Sequence, residues 1–163
     1  MLVVLFQLGK DRYAIHCKFV VEIVPSVALR AVPNAPAAVA GLFNYRSAVV
    51  PVIDLCQLTQ NRRCAPYLSS RIILVDYRRA INEAARPHQT GRILGLLAER
   101  VTEVCEKPAA TTEPPVRPAG APYLGEIFTL GGELIQCVNP AALLPEELRE
   151  MLFARPLLAG QEG

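Results

Sequence analysis

Residues 41–55 read GLFNYRSAVVPVIDL, and this segment says more about the architecture of the 163-residue chain than any other. It joins two runs of β-forming residues through a short polar turn, which is typical of a β-hairpin. Its charged side chains are Arg46 at the turn and Asp54 at the end of the second run. A segment with so much folding information and so little catalytic chemistry predicts a protein that acts by binding partners.

The composition predicts one domain, or two small subdomains that share an interface. Apolar residues make up 52% of the chain and charged residues 20%, which suffices for a hydrophobic core and excludes global disorder. The formal net charge of +2 excludes a strongly basic surface for nucleic acid or anionic lipid. The absence of tryptophan and the few aromatics disfavour a stacking platform for single-stranded nucleic acid.

The N-terminal segment MLVVLFQLGKDRYAI is not predicted to be a signal peptide. It lacks a basic start and a small-residue cleavage site, and its apolar run is too short. No run approaches the ~20 apolar residues that span a bilayer. The five cysteines include no CxxC pair, so the spacing of a metal or redox site is missing. We therefore expect a soluble cytoplasmic protein with reduced thiols, no membrane insertion, no metal site and no cofactor.

The chain carries a weak internal repeat. Glu22 and Glu103 occupy equivalent positions 81 residues apart, and later segments follow at a spacing of 85 residues. Chance similarity between apolar β runs is the alternative, but four segments match in the same order, which favours two similar subdomains of about 80 residues. The paired segments are 13–15 with 94–96, 20–24 with 101–105, 50–54 with 135–139, and 55–58 with 143–144.

The hydrophobic pattern predicts mostly β structure, in short strands separated by turns. Gly9 marks a hairpin turn, Pro51 indicates an edge strand or a bulge, and residues 78–90 form a long exposed loop. Short strands without alternating long helices favour small barrels over a βαβ sheet. The predicted strands are 2–8, 12–15, 48–55, 71–77 and 91–101.

Helical signal is scarce. Residues 35–40 are long enough for one turn. Pro145 and the two acids after it predict the start of a final helix, whose stripe of Leu148, Met151 and Leu152 would dock on the core. The stretch 106–122 holds five prolines and predicts a PPII-like connector or a mobile loop.

No constellation of residues predicts an enzyme. His16 and His88 are the only histidines, and neither has a partner motif with an aligned serine or cysteine. Cys17 follows His16 in a predicted strand, where adjacent residues point to opposite faces. Neither GxGxxG nor GxxxxGKS/T occurs, so no phosphate-binding loop is predicted.

Glu22 and Arg46 are the charged residues of most interest. Glu22 is either a solvated charge on an alternating strand or the partner of Arg46. An exposed pair would add only ~0.2–1 kcal/mol to stability, whereas loss of one partner of a buried pair would cost ~3–5 kcal/mol. Tyr45 and Asn44 flank Arg46, and because arginine and tyrosine are enriched at interface hot spots, the turn predicts a partner-binding patch. Asn44 alternatively forms the turn, and Asp54 is expected to be a turn or capping acid.

Segment 41–55 resembles the signature of the CheW-like domain family, in which an N-L/Y-R-G stretch leads into V-I/V-P-V/I-V/I-D-L. FQLGKDRYAI, VVEIV, RIILV, GLLAERVTEV and LGEIF with ELIQCVNP agree with the same family, so the resemblance covers residues 2 to about 153. It implies an all-β fold with short helices, built as two tandem SH3-like five-stranded barrels packed on a shared core. One domain would span 1–155 and a tail 156–163, and an exchange of strands between the halves is compatible with this arrangement.

The resemblance implies a non-catalytic coupling protein of a bacterial chemosensory array. Such adaptors link the cytoplasmic tip of a methyl-accepting receptor to the regulatory domain of a CheA-type histidine kinase, in the cytoplasm at the inner membrane. The family pattern and the turn chemistry together assign partner binding to Val20, Glu22, Asn44, Tyr45 and Arg46, and the structural motif to Gly41, Pro51 and Asp54.

Two residues depart from the family pattern. Ser47 stands where the family usually has glycine, and Tyr45 replaces a common leucine. If position 47 needs a positive φ, serine costs up to about 1–2 kcal/mol. With the 78–90 loop, these departures suggest a specialised system whose output, motility or surface behaviour, is left open. A stand-alone SH3-like module for peptides or a small regulator is the alternative function, and an unrecognised enzyme comes third.

Overall fold

The computed structural model describes residues 1–82, 92–108, 116 and 118–153. Strands dominate these residues, and the helices are short. Single 3₁₀ turns lie at Cys17–Phe19 and Pro140–Ala142. The elements are β1 Leu2–Leu8, β2 Asp11–His16, β3 Val20–Pro25, β4 Val39–Tyr45, β5 Ala48–Asp54, α1 Leu55–Gln60, β6 Arg71–Asp76, α2 Tyr77–Ile81, β7 Ile93–Glu106, β8 Leu124–Leu130, β9 Glu133–Val138 and α3 Glu146–Phe153.

The strands form two five-stranded sheets that share β7. Sheet I has the order β4-β5-β7-β6-β3, and sheet II has the order β8-β9-β2-β1-β7. The first half of β7, up to Ala98, pairs with β6, and the second half, from Glu99, pairs with β1. Between the halves the ladder is irregular and Arg100 has a φ of +44°. One long strand therefore joins both halves of the molecule.

The two sheets follow the same plan. In each, one antiparallel hairpin pairs with a parallel neighbour, β5 with β7 in sheet I and β2 with β9 in sheet II. Val52 lies opposite Gly95 in the first pair, and Cys137 lies opposite Ala14 in the second. The sequence spacings of 81 and 85 residues relate these same positions, since 14 + 81 = 95 and 52 + 85 = 137. The predicted fold class, two five-stranded SH3-like barrels, is confirmed.

The core lies mainly between the two sheets, and strand alternation explains how it forms. Val4, Phe6 and Leu8 of β1 point into this shared core, where Tyr77 of α2 is also fully buried. The intervening side chains of β1 pack inside sheet II instead, with Phe128 and Ile135. Because successive side chains on a strand point to opposite faces, a strand that is apolar on both faces serves two cores. The packing of both barrels on a shared core is thereby confirmed.

Sheet II draws β1 and β2 from one end of the sequence and β8 and β9 from the other. Strands are thus exchanged relative to two consecutive halves of the chain. The division into a domain at 1–155 and a tail at 156–163 stays a prediction, because residues 154–163 lie outside the described residues.

Three local predictions were wrong. Pro51 lies in an inner strand, and its missing N–H is tolerated because the β5–β7 ladder begins only at Val52. The loop predicted at 78–90 begins as helix α2, because the Asp76 side chain accepts a 3.0 Å hydrogen bond from Arg79 N and caps it. Residues 35–40 form turns, not a helix, and β4 already begins at Val39. Most of 83–91 and 109–117 lies outside the described residues.

The final helix was predicted correctly. α3 begins at Glu146, and its Leu148 and Leu152 pack against the shared core. Met151 is 46% exposed, so the docking stripe is narrower than predicted. None of the helices in the described ranges has the length and apolar character needed to cross a membrane.

Candidate functional site

The β4–β5 hairpin closes through a strained two-residue turn. Tyr45 and Ala48 form the last pair of the ladder, and Arg46 and Ser47 lie between them with φ angles of +50° and +69°. Positive φ at both central positions is what a type I′ turn requires. Asn44 Oδ1 accepts a 3.1 Å hydrogen bond from Ser47 N. Asn44 therefore holds the turn, and Ser47 adopts the conformation that glycine adopts without strain.

The corresponding hairpin of sheet II uses glycine at both positions. Gly131 and Gly132 join β8 to β9 with φ angles of +60° and +83°, and each lies 85 residues after its counterpart, Arg46 or Ser47. The fold alone is therefore satisfied by two glycines. Left-handed backbone costs a side-chain-bearing residue of the order of 1 kcal/mol. Retaining Arg46 and Ser47 needs a reason other than forming the hairpin.

Arg46 belongs to a surface cluster with Glu22 and Tyr45, here called the Glu22–Tyr45–Arg46 cluster. The Tyr45 hydroxyl donates a hydrogen bond to Glu22 Oε1, and Arg46 Nη2 lies 3.4 Å from the same oxygen. The Arg46 guanidinium also stacks 5.2 Å from the centre of the Tyr45 ring. The hydrogen bond to Glu22, with a smaller contribution from burial, raises the pKa of Tyr45, so the hydroxyl stays a donor at neutral pH.

The cluster is exposed, which decides between the two interpretations of the ion pair. The Arg46 side chain is 76% exposed and that of Glu22 is 41% exposed. Such a pair adds little to stability, about 0.2–1 kcal/mol. The three side chains hold each other in a fixed orientation at the surface, and the guanidinium keeps donors available to a partner.

Val20 does not join this cluster. It lies at the start of β3 and packs, half-buried, against the shared core. The β3–β6 register shifts between Val20 and Glu22, and such a bulge re-aims the side chains that follow it. Val49, which sequence reasoning missed, is 69% exposed opposite Asn44 on the outer face of the same hairpin. Its β-strand pattern alone gave no sign of this exposure.

The residues assigned to the structural motif fix the hairpin from behind. A Cβ on Gly41, whose φ is +148°, would lie 2.7 Å from Arg30 O, so only glycine lets residues 29–30 pair with β4. Asp54 is 5% exposed. Its Oδ1 accepts from Cys56 N at 2.9 Å and its Oδ2 accepts from Cys64 N at 3.0 Å. Asp54 thus caps α1 and anchors the segment after it.

A buried ion pair that sequence reasoning missed holds the same segment. The Glu99 side chain is 2% exposed and accepts two hydrogen bonds of 3.0 Å from Arg62, as well as 2.8 Å from Gly9 N. Burial alone would raise the pKa of Glu99, but the bonds from Arg62, Ala65 N and Gly9 N outweigh it and lower the pKa to about 2. This pair ties the β1–β2 turn to β7 and the segment after α1, so its role is structural.

An apolar groove lies between α1, α3 and the segment before β4. Its cavity volume is about 420 Å³, and Glu147 supplies its one charged side chain. The other lining residues are Pro36, Ala38, Ile53, Leu58, Leu143, Pro145, Leu148 and Met151. His88, one of the two histidines considered above, lies outside the described residues.

Comparisons with known proteins agree with this architecture. The family model described as CheW-like domain matches residues 2–148. The "Chemotaxis protein CheW" of Treponema pallidum (strain Nichols) is 48% identical over 52 residues, which cover 32% of this chain and 31% of that protein. The chain thus matches about a third of the length of this relative.

Two further similarities extend over most of the chain. The "Chemotaxis protein CheW" of Rhizobium meliloti (strain 1021) is 23% identical over 148 residues, covering 89% of this chain and 88% of that protein. The crystal structure of the scaffolding protein TtCheW from Thermoanaerobacter tengcongensis superposes with a TM-score of 0.69 at 24% identity, covering 84% of this chain and 82% of that one. The second similarity concerns the fold.

Proposed function

The chain belongs to the CheW-like domain family, and from that membership we propose that it is a non-catalytic adaptor that couples a methyl-accepting chemoreceptor to a CheA-type histidine kinase. Its relatives are named chemotaxis proteins, and the solved structure with the same fold is named a scaffolding protein. The observation that carries the proposal is the exposed Glu22–Tyr45–Arg46 cluster on a turn that the other hairpin builds from glycine.

The physical argument starts from the cost of the turn. Arg46 and Ser47 hold left-handed backbone that Gly131 and Gly132 adopt freely. The exposed ion pair with Glu22 does not offset this cost through stability. Local strain at an exposed, chemically rich position is a mark of functional sites. Partner binding by Arg46, with Glu22 and Tyr45 as its positioning residues, accounts for both features.

The proposed partners are the cytoplasmic tip of the receptor and the regulatory domain of the kinase. Arg46 offers several N–H donors to carboxylates or backbone carbonyls of a partner, and Tyr45 offers an aromatic edge. Sheet edges and the groove beside α3 supply further contact surface. The adaptor would act in the cytoplasm, at receptor arrays on the inner membrane.

A reconstituted array with receptor and kinase tests this proposal. We expect Arg46→Ala to abolish receptor-dependent stimulation of the kinase while the melting temperature changes by less than about 2 °C. The matched control is Arg63→Ala, which removes another exposed arginine and should leave stimulation intact. Full stimulation by Arg46→Ala would contradict the proposed role of the cluster. A drop of about 5 °C or more would mean that Arg46 is structural.

The second candidate is a stand-alone module that binds an extended peptide in the apolar groove. The groove volume of about 420 Å³ and its apolar lining favour it. Binding to a CheA-type regulatory domain separates the two functions. Binding below about 100 μM supports the adaptor, and no binding at that concentration supports the stand-alone module.

A further inference from the structure

His16, Glu126 and Cys137 come together at one end of sheet II. They lie on three different strands, β2, β8 and β9. One ligand atom from each, a ring nitrogen, a carboxylate oxygen and the thiol sulfur, lies within 4.8 Å of the other two. A cavity of about 230 Å³ adjoins them and is lined in part by all three.

The backbone explains why these side chains converge. Ala14 of β2 lies opposite Cys137 of β9, and His16 follows two residues later on the same face of β2. The β8–β9 register shifts between Leu124 and Ile127, which places Glu126 beside Cys137. A Cβ on Gly125 would lie only 3.2 Å from Cys137 O, so glycine allows the close approach. Bulges of this kind commonly re-aim side chains at functional sites.

The three ligands form a set suited to zinc. Imidazole nitrogen, thiolate sulfur and carboxylate oxygen bind Zn²⁺ at about 2.0–2.3 Å, so neighbouring ligands of a tetrahedral ion lie about 3.3–3.8 Å apart. His16 Nε2 and Glu126 Oε1 are 3.2 Å apart, close to that spacing. Three protein ligands leave a fourth position, and the adjoining cavity gives water access to it.

Two observations indicate that the cluster has binding capacity that protein contacts do not use. His16 Nδ1 is buried without a hydrogen-bond partner among the described residues. Buried polar atoms are rarely left unpaired, and those that are call for an explanation. Glu126 already attracts a cation, since Lys107 Nζ lies 3.1 Å from its Oε1. We propose that His16, Glu126 and Cys137 bind a divalent zinc-class ion that links β2, β8 and β9.

The ionisation states fit this assignment in part. Burial, partly opposed by Glu126, lowers the pKa of His16, so its ring is neutral at pH 7, as a ligand must be. Burial raises the pKa of Cys137 to about 12, so the ion must displace a thiol proton. Affinity should therefore rise with pH. Lys107 must yield its contact with Glu126, and it can stay over the Phe128 ring, 5.9 Å from its Nζ.

The other cluster of potential ligands, Asp54, Cys56 and Cys64, is a poorer site. Both carboxylate oxygens of Asp54 already accept backbone N–H groups, and Cys56 is fully buried. The prediction of no metal site rested on motifs of neighbouring residues. Ligands distributed over three strands leave no such motif.

Calorimetric titration of the full reduced chain with Zn²⁺ tests the proposal. We expect one ion per chain, with affinity more than about tenfold weaker in His16→Ala and Cys137→Ser, since loss of even an outer-shell partner costs about 10–100-fold. The matched control, Cys105→Ser, removes a thiol of β7 outside the cluster and should keep the affinity. Co²⁺ should give thiolate-to-cobalt charge-transfer absorption in the parent chain and in Cys105→Ser, and none in Cys137→Ser.

Because Cys137 is buried, its variant is checked by far-ultraviolet circular dichroism, and the more exposed Glu126→Gln provides an independent loss of a ligand. Zn²⁺ should raise the melting temperature of the parent chain but not that of His16→Ala. No binding to the parent chain below about 100 μM would overturn the proposal. Unchanged affinity in His16→Ala and Glu126→Gln would also overturn it, because the ion would then bind elsewhere.

Discussion

Arg46 Nη2 lies 3.4 Å from Glu22 Oε1, across strands that are separated by 24 residues in sequence. The contact is exposed, so we expect a small coupling energy, below about 1 kcal/mol, in a double-mutant cycle of Arg46→Ala and Glu22→Gln. Urea unfolding measures it. A coupling of about 3 kcal/mol or more would mean that the pair behaves as a buried one and that its contribution is structural.

Ser47→Gly should stabilise the protein. Relief of left-handed strain is worth about 1–2 kcal/mol, and the larger entropy of glycine in the unfolded chain offsets about half of it. The net gain of about 0.5–1 kcal/mol should raise the melting temperature by about 1–4 °C. The matched control in sheet II is Gly132→Ser, which has a φ of +83° and open space around the new Cβ. It should destabilise by a similar amount, and stabilisation there would refute the strain argument.

Glu99→Gln should lower the stability at pH 7 by about 3 kcal/mol, because the native pKa of Glu99 is about 2 against an ordinary value of 4.5. A lowered native pKa gives stability that is complete above pH 4.5 and is lost as the pH falls toward 2. The parent chain should therefore lose this contribution in that window, and Glu99→Gln should not. Denaturant unfolding at several pH values measures both.

The control for this experiment is Glu133→Gln, which breaks an exposed ion pair with Arg12. Its stability at pH 7 should change by less than about 1 kcal/mol. Equal losses in Glu133→Gln and Glu99→Gln would show that burial of Glu99 contributes nothing beyond a surface pair.

Gly95→Ala should destabilise sheet I by about 1–3 kcal/mol. The new Cβ would lie 2.9 Å from Ile72 Cγ2 and 3.0 Å from Val52 Cγ2, inside a packed core. Gly120→Ala is the matched control, since nothing lies within 4 Å of its Cβ, and it should be close to neutral. Thermal unfolding compares the two. A neutral Gly95→Ala would show that β5 and β6 separate more easily than their packing suggests.

Much of the fold follows from local sequence pattern. Alternation along β1 predicts its bounds at Leu2–Leu8, and the turn around Gly9 predicts its hairpin with β2. The position of Asp54 after a strand predicts its capping role, which the bonds from Cys56 N and Gln57 N display. In each case the determining interaction lies within a few residues, where spacing and side-chain type are informative.

Interactions between distant segments could not be predicted in the same way. The pairing of β2 with β9 depends on which strands bury their faces together, and many apolar β runs meet that condition equally well. The contact of Arg62 with Glu99 likewise arises only after two loops and a bulge are placed. At the candidate site, sequence pattern indicated Glu22 and Arg46, but their exposure depended on where β3 lies in sheet I.

The exchange of strands also sets an order for folding during synthesis. All strands of sheet I lie within residues 20–98, so they can pair once that part of the chain has left the ribosome. β2 must wait for β9, which ends at Val138, and until then its edge has no neighbour. An unpaired strand edge is open to wrong pairing and aggregation. The nascent chain is therefore most in need of a chaperone at β2, far from the segment that carries the family signature.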